Sequence, residues 1–269
     1  MSRIDVALHD LRTLDDLARR DTPLTRLDAR AQVVTTLVFC VVVVSFDRYS
    51  VSALLPLALY PITLAALGDL PARPLLRKLA IAAPFAMLVG LFNPLLDRAP
   101  LLTLGEIAIA GGWVSFASIM LRFALTVGSA LVLIAGTGMH ELCAALGRLG
   151  VPGVFTAQLL FLFRYSFVLG GEASSMMTAY ELRSGGRRPG LKDYGGLAGH
   201  LLLRAFERAQ RIHLAMIARG FDGELRSAAS RSWTRRDTLF VLGWCAFFLL
   251  VRWVNIPQWL GQATTGQLP

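Results

Sequence analysis

The chain has 269 residues, 55% of them hydrophobic and 17% charged, with a mean hydropathy of +0.56. That is too apolar for an ordinary soluble domain and places it in a bilayer. The net charge of +9 does not point to nucleic acid, because the chain has no basic patch interleaved with aromatics and no nucleic-acid motif. Three scattered cysteines, Cys40, Cys143 and Cys245, exclude a disulfide framework and a CxxC metal site.

The first thirty residues interleave Arg3, Arg12, Arg19, Arg20, Arg26 and Arg30 with six aspartates and contain no apolar core of a signal peptide. They read as a retained, solvent-exposed or interfacial helix. Five apolar stretches follow: Ala31–Phe46, Val51–Leu67, Leu79–Leu96, Trp113–Thr137 and Thr238–Val254. Several fall short of the roughly 20 residues that cross a bilayer core, and Pro56, Pro61, Pro84 and Pro94 are expected to bend them.

Lysine and arginine set the orientation. Six lie in residues 1–30, three in the 68–78 connection and fourteen in residues 138–237, whereas the tail after Val254 has none. The N-terminus and residues 138–237 are therefore expected on the cytoplasmic side of the cell (inner) membrane, with the C-terminus outside. A sixth apolar run, Val154–Leu169, contains Arg164 at a cost of about 2.5–3.5 kcal/mol for insertion. It reads as a helix at or beneath the membrane surface. Arg122 and Arg252 also fall in apolar spans; Arg252 reads as snorkelling to the interface, and Arg122 as either that or a polar contact between helices.

The expected organisation is an all-α polytopic membrane protein with about five transmembrane helices. A cytoplasmic N-terminal segment (1–30) precedes four spans (31–137), a cytoplasmic domain of amphipathic helices (138–237), the last span (238–254) and an extracytoplasmic tail (255–269). Two helices dominate residues 138–237, one over Val154 to Arg183 carrying Glu172, the other over Leu197 to Arg219. At about 100° per residue, Arg204, Glu207, Arg208, Arg211 and Arg219 share one arc of the second helix, while Leu202, Phe206, Ala209, His213, Met216 and Ile217 share the opposite one. Arg183 precedes Ser184-Gly185-Gly186 and Arg219 precedes Gly220, so each reads as a cation in a last helical turn. Taken alone, that pattern fits complementation of the helix macrodipole, or a basic face near anionic headgroups.

No His/Cys/Asp/Glu cluster has metal-ligand spacing, and no catalytic carboxylate pair is evident; Asp222 and Glu224 read as a capped turn. The two lysines, Lys78 and Lys192, are not part of a GxxxxGK[ST] loop, so this chain is not expected to be a P-loop ATPase.

Several segments together resemble the transmembrane coupling subunit of energy-coupling-factor transporters, most closely the CbiQ-type subunit of cobalt uptake systems. They are Asp21-Thr22-Pro23-Leu24-Thr25-Arg26-Leu27-Asp28-Ala29-Arg30, Leu149-Gly150-Val151-Pro152 with Phe163-Arg164-Tyr165 and Glu172, Leu203-Arg204-Ala205-Phe206-Glu207-Arg208-Ala209, and Ala215 through Gly223. Ala29 and Gln32 depart from the proline and lysine often seen in the family. Of the family's two Ala-Arg-Gly-type motifs, the second is intact as Ala218-Arg219-Gly220, and the first keeps the central arginine as Leu182-Arg183-Ser184.

The resemblance implies a non-enzymatic subunit held by two cytoplasmic ABC-type ATPase subunits, one at each arginine motif: Arg183 with Ser184, and Arg219 with Ala218 and Gly220. ATP and Mg would be bound by those subunits, with no cofactor on this chain. Apolar side chains such as Phe161, Phe163, Phe206 and Met216 would meet a substrate-binding membrane protein or membrane lipid, and Arg122, Arg164 and Glu172 would make intramembrane or structural polar contacts. Cobalt is the favoured substrate, with nickel or a vitamin as alternatives. A lipid-headgroup enzyme is the rival class, although it would require the carboxylate cluster or activated nucleophile missing from residues 138–237.

Overall fold

The computed structural model describes residues 17–18, 20–47, 51–96, 100–104, 107–187, 189–221 and 232–253. Residues 1–16 of the expected N-terminal helix, the turn at 222–224 and the tail 255–269 lie outside that set. The chain divides into two compact units: Met1–Asp16 with Met139–Ser230, and Leu17–Gly138 with Arg231–Pro269. We refer to them as unit 1 and unit 2.

Among the described residues, unit 2 consists of five helical passes. They are α1 (Ala29–Val44), a broken pass of α2 (Val51–Leu54), a 3₁₀ turn (Leu55–Ala58) and α3 (Leu59–Leu67), then α4 (Ala72–Leu96), α5 (Gly111–Thr137) and α9 (Arg235–Trp253). The break falls at Pro56, which has no N–H to donate and sits at the N-terminal end of the 3₁₀ turn. α4 continues through Pro84 and Pro94. Between α4 and α5 lies a two-stranded antiparallel ribbon, β1 (Pro100–Leu104) and β2 (Ile107–Ala110), which the apolar pattern does not signal. The remaining regular structure among the described residues is helical, and the protein is an all-α polytopic membrane protein.

Among the described residues, three helices can cross a membrane by length and composition, over Ala72–Asn93, Gly112–Thr137 and Gly153–Arg183, while Ala29–Val44 and Val51–Leu67 are shorter apolar helices. Unlike a soluble domain, unit 2 is apolar outside as well as within. Its centre is an aromatic cluster of Phe39, Tyr60, Trp244 and Phe248, with ring centroids 4.7 Å apart for Phe39–Tyr60 and 5.2 Å for Tyr60–Phe248. The Tyr60 hydroxyl is satisfied by Thr36 Oγ1 at 2.8 Å. Ile81 and Phe85 on α4, by contrast, are 70% and 74% exposed. Such an apolar exterior is stable against acyl chains and not against water.

Buried polar contacts fix the directions of the passes. Gln32 Nε2 donates to the Leu24 carbonyl at 2.9 Å, and Thr137 Oγ1 donates to Gln32 Oε1 at 2.8 Å, so α5 ends where α1 begins. Gly68, just after α3, packs on Leu24 as well. Asp237 closes the same end: its carboxylate accepts the Asp28 N–H at 2.8 Å and the Thr234 N–H at 2.8 Å. The second bond is half of a capping box, and it explains why α9 begins at Arg235, ahead of the first purely apolar residue. α1 and α9 therefore run parallel, side by side through Phe39 and Phe248.

Just past the other end of α1, two arginines meet carbonyls of the turn that follows it. Arg252 Nη2 donates to Ser45 O at 3.3 Å with its guanidinium over the Phe46 ring, and Arg122 Nη2 donates to Asp47 O. Arg252, bonded at the C-cap, complements the C-terminus of α1. Arg122, read as either snorkelling or a polar contact between helices, and Arg252, read as snorkelling, each place the guanidinium on a backbone carbonyl of this turn. Arg122 can do so from within its span because α1 has only 16 residues, about 24 Å.

Candidate functional site

Unit 1 is built from α6 (Met139–Arg148), α7 (Gly153–Arg183) and α8 (Leu191–Ile217). α6 ends in a glycine-terminated turn: Gly150 takes φ 101°, and the Val151 N–H donates to Leu146 O at 3.1 Å. Pro152 then starts α7 with a φ suited to a helix entry.

α7 and α8 form an antiparallel hairpin, pinned at three levels. Near the loop, Asp193 Oδ2 accepts the Gly190 N–H at 2.9 Å and the Tyr180 hydroxyl at 2.8 Å. Those two bonds hold the Asp193 carboxyl below its ordinary range, the Gly190 N–H being the larger cause. They also account for the start of α8 at Leu191, six residues before its expected start. Midway, Glu172 on α7 receives Arg204 Nη1 at 3.1 Å and Arg208 Nη2 at 3.5 Å from α8. Toward the far end lies an apolar groove of about 560 Å³, lined by Val154, Phe161 and Leu169 of α7, by Ala209 and Met216 of α8, and by Phe221.

The two arginine motifs fall at opposite ends of this hairpin, separated by roughly the 27-residue length of α8, about 40 Å. Both side chains are exposed. Arg183 occupies the last turn of α7, beside a surface pocket that it shares with Tyr180, His200 and Arg204. Ser184 caps the helix through its N–H to Tyr180 O at 2.9 Å, and Gly185 and Gly186 follow with φ of 65° and 83°. α8 ends at Ile217, so Arg219 lies just past the last helical turn in which the sequence places it. It sits between Ala218, the C-cap, and Gly220, with φ 77°. The Phe221 N–H donates to Met216 O at 3.0 Å and the Gly220 N–H to Ile217 O at 2.9 Å, completing a Schellman turn around that glycine. Arg183 stands two residues before its left-handed glycine and Arg219 one, so the two motifs are not superposable on their helix ends.

The residues expected to contact a partner divide. Phe161 and Met216 come together in the groove. Phe163 pairs edge-to-face with Phe167 at 5.0 Å, and Phe206 is exposed with Leu202 and Leu214. α8 therefore has three sectors where the sequence suggests two: a cationic edge, a seam of small and apolar residues against α7, and an exposed apolar strip. Of the expected polar contacts, Glu172 is the ion-pair acceptor at the crossing, and Arg164 is exposed beside Arg208 and Arg211. The sequence gives no sign of the Glu172 pairs, whose partners are 32 and 36 residues away.

The family model described as CbiQ, cobalt transport protein, matches residues 20–230. The chain belongs to the CbiQ family. The match takes in the α1 cap, both hairpin helices and both arginine termini. Among relatives, an uncharacterized protein of Methanocaldococcus jannaschii is 34% identical over 102 residues, 37% of this chain and 38% of that protein. The cobalt transport protein CbiQ of Rhodobacter capsulatus is 34% identical over 97 residues, 35% of this chain and 40% of that protein. A second uncharacterized M. jannaschii protein is 24% identical over 230 residues, 81% of this chain and 78% of that protein. The matched segments thus span about two fifths of the first two relatives' own length.

Proposed function

We propose that this CbiQ-family chain is the transmembrane coupling subunit of an ATP-driven metal-ion uptake transporter, with cobalt the substrate, and that it carries no catalysis of its own. Unit 1 lies on the cytoplasmic side, with the N-terminus, in the cell membrane. Two ABC-type ATPase subunits, which bind ATP and Mg, each grip one end of the α7–α8 hairpin, one at Arg183 and Ser184, the other at Ala218, Arg219 and Gly220. A separate substrate-binding membrane protein lies against exposed apolar side chains of the hairpin, Phe206 among them. The name of the Rhodobacter capsulatus relative supports cobalt.

The observation that carries this reading is the placement of two exposed arginines at opposite ends of one hairpin, about 40 Å apart. A single partner at one end would not reach both, whereas two copies of one ATPase would. Arginine suits such a grip because its planar fork meets a carboxylate at two points. α7 is read as interfacial despite its length because its partner α8 carries Asp193, Arg204, Glu207, Arg208 and Arg211, charges too costly to bury together in a bilayer.

Arg183→Glu and Arg219→Glu, each assayed for ATPase copurification and for ATP-dependent cobalt and nickel uptake in proteoliposomes, test the reading. Each reversal is expected to weaken retention by roughly 2–5 kcal/mol and to reduce uptake. Full retention and full uptake in both variants would sink it.

A further inference from the structure

Where α7 and α8 cross, a pocket of about 480 Å³ is lined by Arg164, Arg208 and Arg211, with Tyr165, Val168 and Ile212 among its other walls. We propose that this pocket holds the phosphate of an anionic phospholipid. The inference rests on the reading of unit 1 as lying at the cytoplasmic membrane surface.

Charge carries the first step. Three arginines line one pocket, and the acid nearest to hand, Glu172, is divided between Arg204 at 3.1 Å and Arg208 at 3.5 Å. Among the described residues neither Arg164 nor Arg211 closes an ion pair; Glu207, one turn before Arg211, does not reach it. The cluster therefore keeps an excess of positive charge that only an outside anion can offset. Guanidinium forks match phosphate oxygens in pairs, which a lysine cluster would not.

The surroundings of the pocket favour a lipid over a free anion. Tyr165, Arg208 and Ile212 also line the apolar groove of about 560 Å³, so the cationic pocket and the groove adjoin. A ligand with a phosphate head and an apolar chain satisfies both at once, whereas inorganic phosphate or a nucleotide satisfies only the first. Basic pockets between helices at the cytoplasmic boundary take anionic headgroups for this reason.

The test uses the full chain in neutral detergent, scored by native mass spectrometry for retention of phosphatidylglycerol against phosphatidylcholine. The wild type is expected to prefer phosphatidylglycerol, and R164Q/R211Q to lose roughly tenfold or more of that preference, with its helical circular dichroism and thermal midpoint unchanged. Both substituted side chains are exposed and outside the Glu172 pairs, so the fold does not depend on them. Equal retention of the two lipids by the wild type overturns the proposal without any variant. Displacement of phosphatidylglycerol by millimolar inorganic phosphate would also overturn it, since the pocket would then take a free oxyanion. ATPase copurification with the wild type, Arg183→Glu and Arg219→Glu separates the two readings. Normal ATPase binding by a wild type that shows no lipid preference, or a preference that R164Q/R211Q keeps in full, removes the lipid site alone, while lipid preference in a chain whose ATPases ignore Arg183 and Arg219 removes the coupling reading alone.

Discussion

Asp237, 1% exposed, accepts the Asp28 N–H at 2.8 Å, the Thr234 N–H at 2.8 Å and the Thr234 hydroxyl at 2.6 Å. Asp237→Ala strands those donors and is expected to cost about 2–4 kcal/mol, read as a lowered thermal midpoint in detergent. Asp28 beside it answers to pH. Burial pushes its carboxyl up, but the Arg30 side chain and N–H, with the guanidinium charge, more than offset this and hold it below 3.8. A folded-state pKa below the unfolded one gives stability that is whole above the unfolded value and lost as pH falls through the folded one. Wild type and Asp28→Asn should therefore differ in midpoint at neutral pH and converge only below pH 3.8. A gap that stays constant down to pH 3 would refute the pairing. In the sequence, Asp28 reads as part of a family-like segment, and nothing singles out Asp237. Their contact spans 209 positions, which no local pattern encodes.

Helix ends are the most legible parts of the hairpin, because glycine after a polar run marks a left-handed stop. Gly220→Ala, at φ 77°, should cost about 1 kcal/mol and turn Arg219 away from its docking direction. Gly220→Asn should recover much of the ATPase copurification, since asparagine tolerates that conformation. Equal loss in both variants would assign the glycine a role other than its backbone. The start of α8 was illegible because Gly190 supplies only backbone, and the capping partner Asp193 is itself helical. Glu172→Gln loosens the crossing, but both arginines are more than a third exposed, at 59% and 41%, so stability should fall by less than about 1 kcal/mol. Uptake should fall further than the midpoint does if the crossing transmits force.

On the scale of the molecule, the apolar stretches located the passes of unit 2 because lipid selects composition over periodicity. They did not reveal which passes touch, since helices in lipid are paired by small groups and polar contacts and not by amphipathic faces. The ribbon β1–β2 was invisible for a related reason: its residues are as apolar as the helices that flank it. The parallel course of α1 and α9 implies an odd number of crossings from one to the other. A fluorescent protein fused before Met1 and alkaline phosphatase fused after Trp253 should therefore both be active. Inactive phosphatase in that fusion would contradict the five-pass count.

The bond from the Asp28 N–H to Asp237 also sets a timetable for biogenesis. At about 5–20 residues per second, α9 emerges from the ribosome roughly 10–40 s after α1. Through that interval the cap of α1 and its Phe39 seam wait in the membrane without their last neighbour, while all of unit 1 is being made. A nascent chain halted before Arg235 thus lacks α9 and leaves that flank of α1 open.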